Sequence, residues 1–182
     1  MDTTFENITL QPIGMVRNNI KQPFIIASEK GLKMREGHAP THEMIHKAND
    51  TVSEVVLNSD LAEHLDGIEE FSHITILYWA HGVPREACAL KKIRPRGNPN
   101  NPPVGLFCTR SPARPNPILT TVARLVGREG TTLKVTGLDA IDGSPVLDIK
   151  PCIKEFYPTD NVKIPVWMEK IRASFRHEKT ND

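Results

Sequence analysis
Leu119-Thr-Thr-Val-Ala-Arg-Leu-Val126, Arg128-Glu-Gly130 and Thr132-Leu-Lys-Val-Thr-Gly137 follow one another along the chain. Two runs rich in β-branched residues flank a short, turn-forming connection, which predicts a β-hairpin. Outward from it, Ile74-Thr-Ile-Leu-Tyr-Trp-Ala80 is nearly continuous in apolar and β-prone residues and reads as a central strand. Thr51–Leu57 alternates and reads as another, Val104–Thr109 as a third, and Ile8–Val16 as a fourth with Gly14 as its bulge. Asp60 suits the cap of a short helix over Leu61–Leu65 that stops at Asp66-Gly67. Residues 17–50 are polar and read as a long irregular loop, and Arg94–Pro103 as a stiff one rich in Pro, Gly and Asn. Many strands at short spacing predict a mainly β chain, a small β-barrel with a few short helices. A C-terminal helix from Pro165 carries Trp167, Ile171 and Phe175 on one stripe, which reads as a core-packing face.

The 182 residues, 38% hydrophobic and 25% charged, fit one globular domain with a C-terminal extension. No apolar run reaches membrane-spanning length, and the first residues, Met-Asp-Thr-Thr-Phe-Glu, lack the pattern of a signal peptide. Cys88, Cys108 and Cys152 are odd in number and far apart, which fits a reducing cytoplasm better than a disulfide framework. The net charge of +1 is uninformative, but its distribution is not. Arg85, Lys91, Lys92, Arg94, Arg96, Arg110 and Arg114 cluster against the single acid Glu86. Such a stretch is either a solvated face or a footprint for a polyanion such as RNA.

Two polar motifs interrupt the apolar runs. Gly105-Leu-Phe-Cys-Thr-Arg-Ser-Pro-Ala-Arg-Pro-Asn-Pro117 is stiffened by its prolines. It holds Arg110 and Arg114, suited to a carboxylate, a phosphate or a purine face, and Asn116, whose amide suits an adenine edge. Leu138-Asp-Ala-Ile-Asp-Gly-Ser-Pro-Val-Leu-Asp-Ile-Lys-Pro151 holds Asp139, Asp142 and Asp148. Asp142-Gly143 is a good turn by itself, while Asp139 and Asp148 flank it on strand-like segments where a carboxylate suits a ribose or an amine.

Other motifs point elsewhere or nowhere. His42-Glu-Met-Ile-His46 has the pattern of a zinc hydrolase, with two histidines as ligands and Glu43 as general base. Pro40 and Asn49-Asp50 leave room for only about two helical turns, and the flanks supply no apolar face, so a polar loop or surface turn is the favoured reading and no metal is expected. Asn101-Pro-Pro-Val104 resembles the Asn/Asp-Pro-Pro-aromatic loop of amino-methyltransferases, with Val in place of the aromatic. Neither a Rossmann glycine fingerprint nor a phosphate-binding P-loop is present.

Taken together these residues resemble the TrmO/TsaA-like family of tRNA methyltransferases. The match runs through Ile13–Arg17, Lys21-Gln-Pro23, Leu65–His73 and Tyr78-Trp-Ala-His81, and is densest at Gly105–Pro117 and Leu138–Pro151. The resemblance implies a β-barrel over residues 8–155 that binds S-adenosylmethionine, a short extension over 156–182, and a cytoplasmic homodimer acting on tRNA. It implies methylation of the exocyclic nitrogen of threonylcarbamoyl-adenosine beside the anticodon. Carried over by position, Lys21, Gln22, Pro23, His81, Gly82, Arg110, Thr120, Leu138, Asp139 and Ala140 would contact the cofactor. Asp139 or Asp142 would take the proton from the acceptor amine, with Asn116 as a further candidate in the catalytic group. Lys91, Lys92, Arg94, Arg96 and Arg114 would bind RNA. Two departures stand out: Leu119 replaces a family Gly, and bacterial members have a longer C-terminal region, which implies a difference in tRNA docking. The alternatives are a non-catalytic module binding cofactor or RNA, and the zinc hydrolase.

Overall fold
The computed structural model describes residues 7–35 and 50–176, with the side chains of 174–176 left out. Six strands close into an antiparallel barrel: β1 (Gly14–Arg17), β4 (Val52–Leu57), β5 (His73–Trp79), β8 (Ile118–Glu129), β9 (Thr132–Thr136) and β10 (Pro145–Pro151). Their order around the barrel is β1-β10-β5-β8-β9-β4 and back to β1. Closure leaves no unpaired edge among these strands. The inward residues follow the period of two: Val55 and Leu57 from β4, Ile74, Ile76 and Tyr78 from β5, Leu133 and Val135 from β9, with Val16, Ala123 and Val146. Each large aliphatic side chain so buried contributes about 1.5–3 kcal/mol of transfer free energy.

One end of the barrel is plugged by two short 3-10 turns, Ser59–Leu65 and Ile68–Glu70. Leu65 enters the core, and Arg128 reaches back from β8 to tie the turns down. Its guanidinium donates to the Leu65 carbonyl at 2.8 Å and the Ala62 carbonyl at 3.1 Å, and pairs with Glu69 at 3.0 Å. The predicted helix over Leu61–Leu65 is thus a 3-10 turn, and it ends as expected before Gly67, whose φ is 82°. No side chain caps it, and Asp60 lies within its first turn.

The other end carries the irregular segments. A hairpin of β2 (Ile25–Ser28) and β3 (Gly31–Met34) forms inside the stretch expected to be irregular. A second small pairing joins β6 (Lys92–Ile93) to β7 (Val104–Gly105). The strand expected over Val104–Thr109 stops at Gly105, because Leu106–Cys108 turns back as a 3-10 unit closed by the Thr109 hydroxyl on the Leu106 carbonyl at 2.8 Å. The loop after Arg94 docks on the hairpin at Gly97, where a Cβ would lie 2.3 Å from the Leu32 carbonyl oxygen. The chain ends its described part with α1 (Val166–Arg176). Trp167 and Ile171 of the predicted stripe are half-buried; the Phe175 side chain lies outside the described residues. No helix among the described residues is long and apolar enough to cross a membrane.

The first strand is shorter than its sequence suggests, since residues 8–13 make no strand and Ile8 and Leu10 are exposed. Gly14 is no bulge either. It pairs in register with Leu57 and Val146, while the irregularities fall at Val146/Asp148 and Leu125/Gly127. Glycine is needed there because a Cβ would lie 2.3 Å from the Val56 carbonyl oxygen and 2.8 Å from Leu57 Cα. Both obstacles are backbone, so Gly14→Ala is expected to lose about 1–3 kcal/mol in chemical denaturation, as overpacked interiors do. A change below about 0.5 kcal/mol would show that β1 and β4 separate freely.

Candidate functional site
The open end of the barrel leads into a cavity of about 1090 Å³. Its walls come from segments far apart in sequence: Gln22 and Pro23, the β2–β3 hairpin, Tyr78, Arg96, Arg110, Arg114, Thr120 and Leu138–Ala140. What holds these segments together is a buried asparagine. Asn18, 8% exposed, donates through Nδ2 to the Ala140 carbonyl at 2.9 Å and to Ser53 Oγ at 3.1 Å. Its Oδ1 accepts the Ile20 amide at 2.9 Å, and its own amide donates to Asp142 Oδ1 at 2.9 Å. Main-chain bonds complete the clamp, from the Asp142 amide to the Ile20 carbonyl and from Gly143 to Val16, both 2.8 Å.

Asp142 belongs to this clamp and not to the cavity wall. Its Oδ2 accepts Lys21 Nζ at 2.6 Å, and that hydrogen bond, with the Asn18 amide, holds its carboxyl below the usual range. Lys21 is likewise absent from the cavity lining. Both residues position the loops rather than face the cavity. Asp148 pairs with Lys150 at 2.6 Å and is also outside the lining.

Asp139 has the opposite setting. It is solvent-accessible yet surrounded by the concave wall, and this partial desolvation raises its carboxyl pKa, with nearby Arg110 pulling it back. Its main chain is fixed from below: the buried Tyr78 hydroxyl donates to the Asp139 carbonyl and is in hydrogen-bond contact with Thr121 Oγ1 at 3.1 Å. Burial pushes the Tyr78 hydroxyl up to about 12, so it stays a neutral donor at physiological pH. Arg110 is aimed by Thr120, whose carbonyl and Oγ1 accept from one guanidinium nitrogen at 2.6 and 2.9 Å.

The arginine-proline loop locks itself. The Arg114 guanidinium donates to its own loop at the Thr109 and Ser111 carbonyls, 2.9 and 3.1 Å, and lies 5.6 Å from the Phe107 ring centroid. Buried Ser111 accepts the Ala113 amide at 3.2 Å, and Ala113 packs with Ala27 and Ala87 into a small second core. Three alanines let loop, hairpin and the 3-10 turn Arg85–Ala89 approach closely, which sets the cavity's outer wall.

The predicted site residues therefore divide. Gln22, Pro23, Gly82, Arg110, Thr120, Leu138, Asp139 and Ala140 meet at one cavity, and His81 is adjacent but outside its lining. Arg96 and Arg114 of the expected RNA-binding set also line it, whereas Lys91, Lys92 and Arg94 are exposed and outside it. Burial lowers the Arg96 pKa from its usual value. Arg94 is engaged with the Pro99 and Asn101 carbonyls at 3.2 and 2.6 Å, which stiffens its own loop. Asn116 lines a separate cavity of about 400 Å³ with Trp79, Leu10 and Leu147. His42, Glu43 and His46 lie outside the described residues. Sequence reasoning missed Asn18, which nothing distinguishes from Asn19, and it gave Tyr78 no role.

The fit to a charged, purine-bearing cofactor follows from this donor set. Arg110 is preorganised for a carboxylate, Asp139 offers acceptors to an ammonium or hydroxyl group, and Pro23, Ile141 and Leu138 supply apolar surface. These residues fit S-adenosylmethionine.

Residues 35–157 match the model of the tRNA-methyltransferase O N-terminal domain. A probable S-adenosyl-L-methionine-binding protein of Pyrococcus abyssi is 34% identical over 90% of this chain and 77% of its own. The human tRNA (adenine(37)-N6)-methyltransferase is 45% identical over 57% of this chain and 23% of its own. A crystal structure of TrmO from P. aeruginosa matches with a TM-score of 0.64 at 26% identity, covering 91% of this chain and 63% of that one. The chain thus spans less than two-thirds of that TrmO chain and about a quarter of the human enzyme.

Asn18→Ala removes the donor to the Ala140 carbonyl and to Ser53 and the acceptor of the Ile20 amide, while the main-chain amide that donates to Asp142 stays. A loss of about 1–3 kcal/mol in urea denaturation is expected. The Lys21–Asp142 contribution has a defined pH window. Because the folded carboxyl is depressed, the contribution is present above the ordinary value of 3.8 and is lost as pH falls through the lower folded value. Asp142→Asn should therefore flatten the acid end of the stability curve; an unchanged acid limb would take Asp142 out of the clamp.

Proposed function
This chain belongs to the family of the tRNA-methyltransferase O N-terminal domain, and we propose that it is an S-adenosylmethionine-dependent tRNA methyltransferase acting on adenosine. The acceptor is the exocyclic nitrogen of threonylcarbamoyl-adenosine beside the anticodon, and the enzyme works as a cytoplasmic homodimer. The observation that carries this reading is the convergence of Arg110 and Asp139 with apolar surface in one cavity, in a chain whose relatives bear the names given above.

S-adenosylmethionine supplies an electrophilic methyl group. The chain's own task is alignment and handling of one proton. An adenine amine is a weak nucleophile because its lone pair is delocalised into the ring. The Asp139 carboxylate accepts a hydrogen bond from that amine, localises the lone pair and takes the proton as the new bond forms. Its raised pKa makes it a stronger base than a freely solvated aspartate. Asp142 is less suited, because both of its oxygens are already engaged by Asn18 and Lys21. Tyr78 holds the Asp139 backbone so that the carboxylate keeps its place. Arg110 and Arg96 give the cavity a cationic wall for the carboxylates of cofactor and threonylcarbamoyl group. Lys91, Lys92 and Arg94 lie on the exposed approach and meet tRNA phosphates.

Labelled S-adenosylmethionine incubated with tRNA from cells with and without threonylcarbamoyl-adenosine tests the substrate: label should enter only the modified tRNA. Label in neither, with cofactor binding intact, would leave the fold and remove the reaction. In the same assay Asp139→Asn should lower kcat by about 10² or more, well beyond the accompanying change in the dissociation constant of S-adenosylhomocysteine. The unmutated enzyme's rate should rise with pH through a pKa above 3.8, since the base must be ionised, and this limb should vanish in Asp139→Asn. Replacing Lys91, Lys92 and Arg94 together should raise the KM for tRNA and flatten its salt dependence without altering cofactor affinity. Unaltered tRNA affinity in that variant would remove the basic approach from the site.

A further inference from the structure
Helix α1 forms part of the cavity wall through Trp167, Met168 and Ile171. Positions i, i+1 and i+4 share one helix face. None of the helix's described side chains is fully buried, and residues 157–165 leading into it are exposed except for half-buried Ile164. The helix is therefore not anchored in a core of its own. Among the described residues, its apolar face lies against the cavity.

Among the described residues, three aromatic side chains line that cavity: Phe24, Tyr78 and Trp167. Tyr78 is buried in the barrel with its hydroxyl engaged, and Phe24 is the smaller ring on the strand-entry loop. Trp167 alone is a large π-face on a wall joined to the barrel by an exposed tether. The flanks of the same helix show exposed Lys170 and Arg172, exposed Glu169 and Ala173 lie opposite the cavity face, and exposed Lys163 is on the tether. A base stacked inside would bring its phosphates toward the flanking Lys170 and Arg172. The cavity, about 1090 Å³, lies at the upper end of the range of about 300–1,000 Å³ usual for small-ligand sites.

We propose that Trp167 is the stacking surface for a purine ring in this cavity, with α1 as the wall that closes over it. The proposal rests on the methyltransferase reading, which brings two purines to the site: the cofactor's adenine and the acceptor adenosine. Trp79 and Trp167 are the two tryptophans of the chain. Trp79→Phe therefore leaves Trp167 as the single indole reporter, read by fluorescence during titration with S-adenosylhomocysteine and, separately, with an anticodon stem-loop RNA. One of the two ligands should quench it. Trp167→Ala should weaken that same ligand about tenfold, and Trp167→Phe should restore most of the loss. Weakened S-adenosylhomocysteine binding identifies the cofactor's adenine, and a raised KM for the RNA with unchanged cofactor affinity identifies the acceptor.

No quenching by either ligand, with both affinities of Trp167→Ala within twofold of the unmutated chain, overturns the stacking surface. Calorimetry of S-adenosylhomocysteine on the unmutated chain separates this failure from that of the underlying reading. Heat of binding in that case leaves the methyltransferase standing; no heat of binding overturns both. The fluorescence arm keeps Trp167 in place, so a folding defect in Trp167→Ala does not obscure the result.

Discussion
The buried amide of Asn18 is the constraint on which the site depends. A barrel of six strands fixes its own interior, but the residues that line the cavity lie on connections, and connections drift unless something pins them. Asn18 pins two of them with one side chain, by donating to Ser53 on β4 and to the carbonyl of Ala140 beside Asp139. Each of its polar groups has a partner, so its burial is compatible with a stable fold. Removing it would not merely cost a hydrogen bond. It would free the wall that carries the candidate base.

From that pin the rest of the site follows in layers. Lys21 and Asp142 form the outer ion pair of the clamp, half in solvent, where its energetic contribution is modest and its geometric one is larger. Tyr78 works from inside the barrel on the same segment, reaching the carbonyl of Asp139 while Asn18 holds that of Ala140. Two consecutive carbonyls are thus held by buried donors from two different strands' worth of structure. The carboxylate of Asp139 is the part left facing the cavity, and the partial desolvation there raises its pKa. The arginine-proline loop needs no such outside help, because Arg114, Ser111 and Thr109 bond within it.

The barrel was legible where alternation was strong. Thr51–Leu57, Ile74–Ala80 and the hairpin across Gly130 all form strands close to where their patterns place them, because one face of each is buried. The β2–β3 hairpin was missed although Phe24-Ile-Ile-Ala27 is apolar, since its strands are only four residues long, the residues around them are polar, and they stand outside the barrel. Gly14 was noticed for the wrong reason: a bulge and a close backbone approach give the same signal in sequence, and only the distance to Val56 separates them. Motif positions pointed to Arg110 and Asp139, which line the cavity, but could not tell Asp139 from Asp142, because the difference lies in partners 120 or more residues away along the chain. Asn18 and the place of Trp167 on the cavity wall were invisible for the same reason: both are set by what the fold brings together.

The most direct measurement is a crystal structure of the chain grown with S-adenosylhomocysteine. The account predicts the ligand in the large cavity, with its carboxylate at the guanidinium of Arg110 and the Asp139 carboxylate left facing the space beside the sulfur. A ligand seated instead in the smaller cavity beside Trp79 and Asn116, or one whose own atoms block Asp139 from that space, would contradict it.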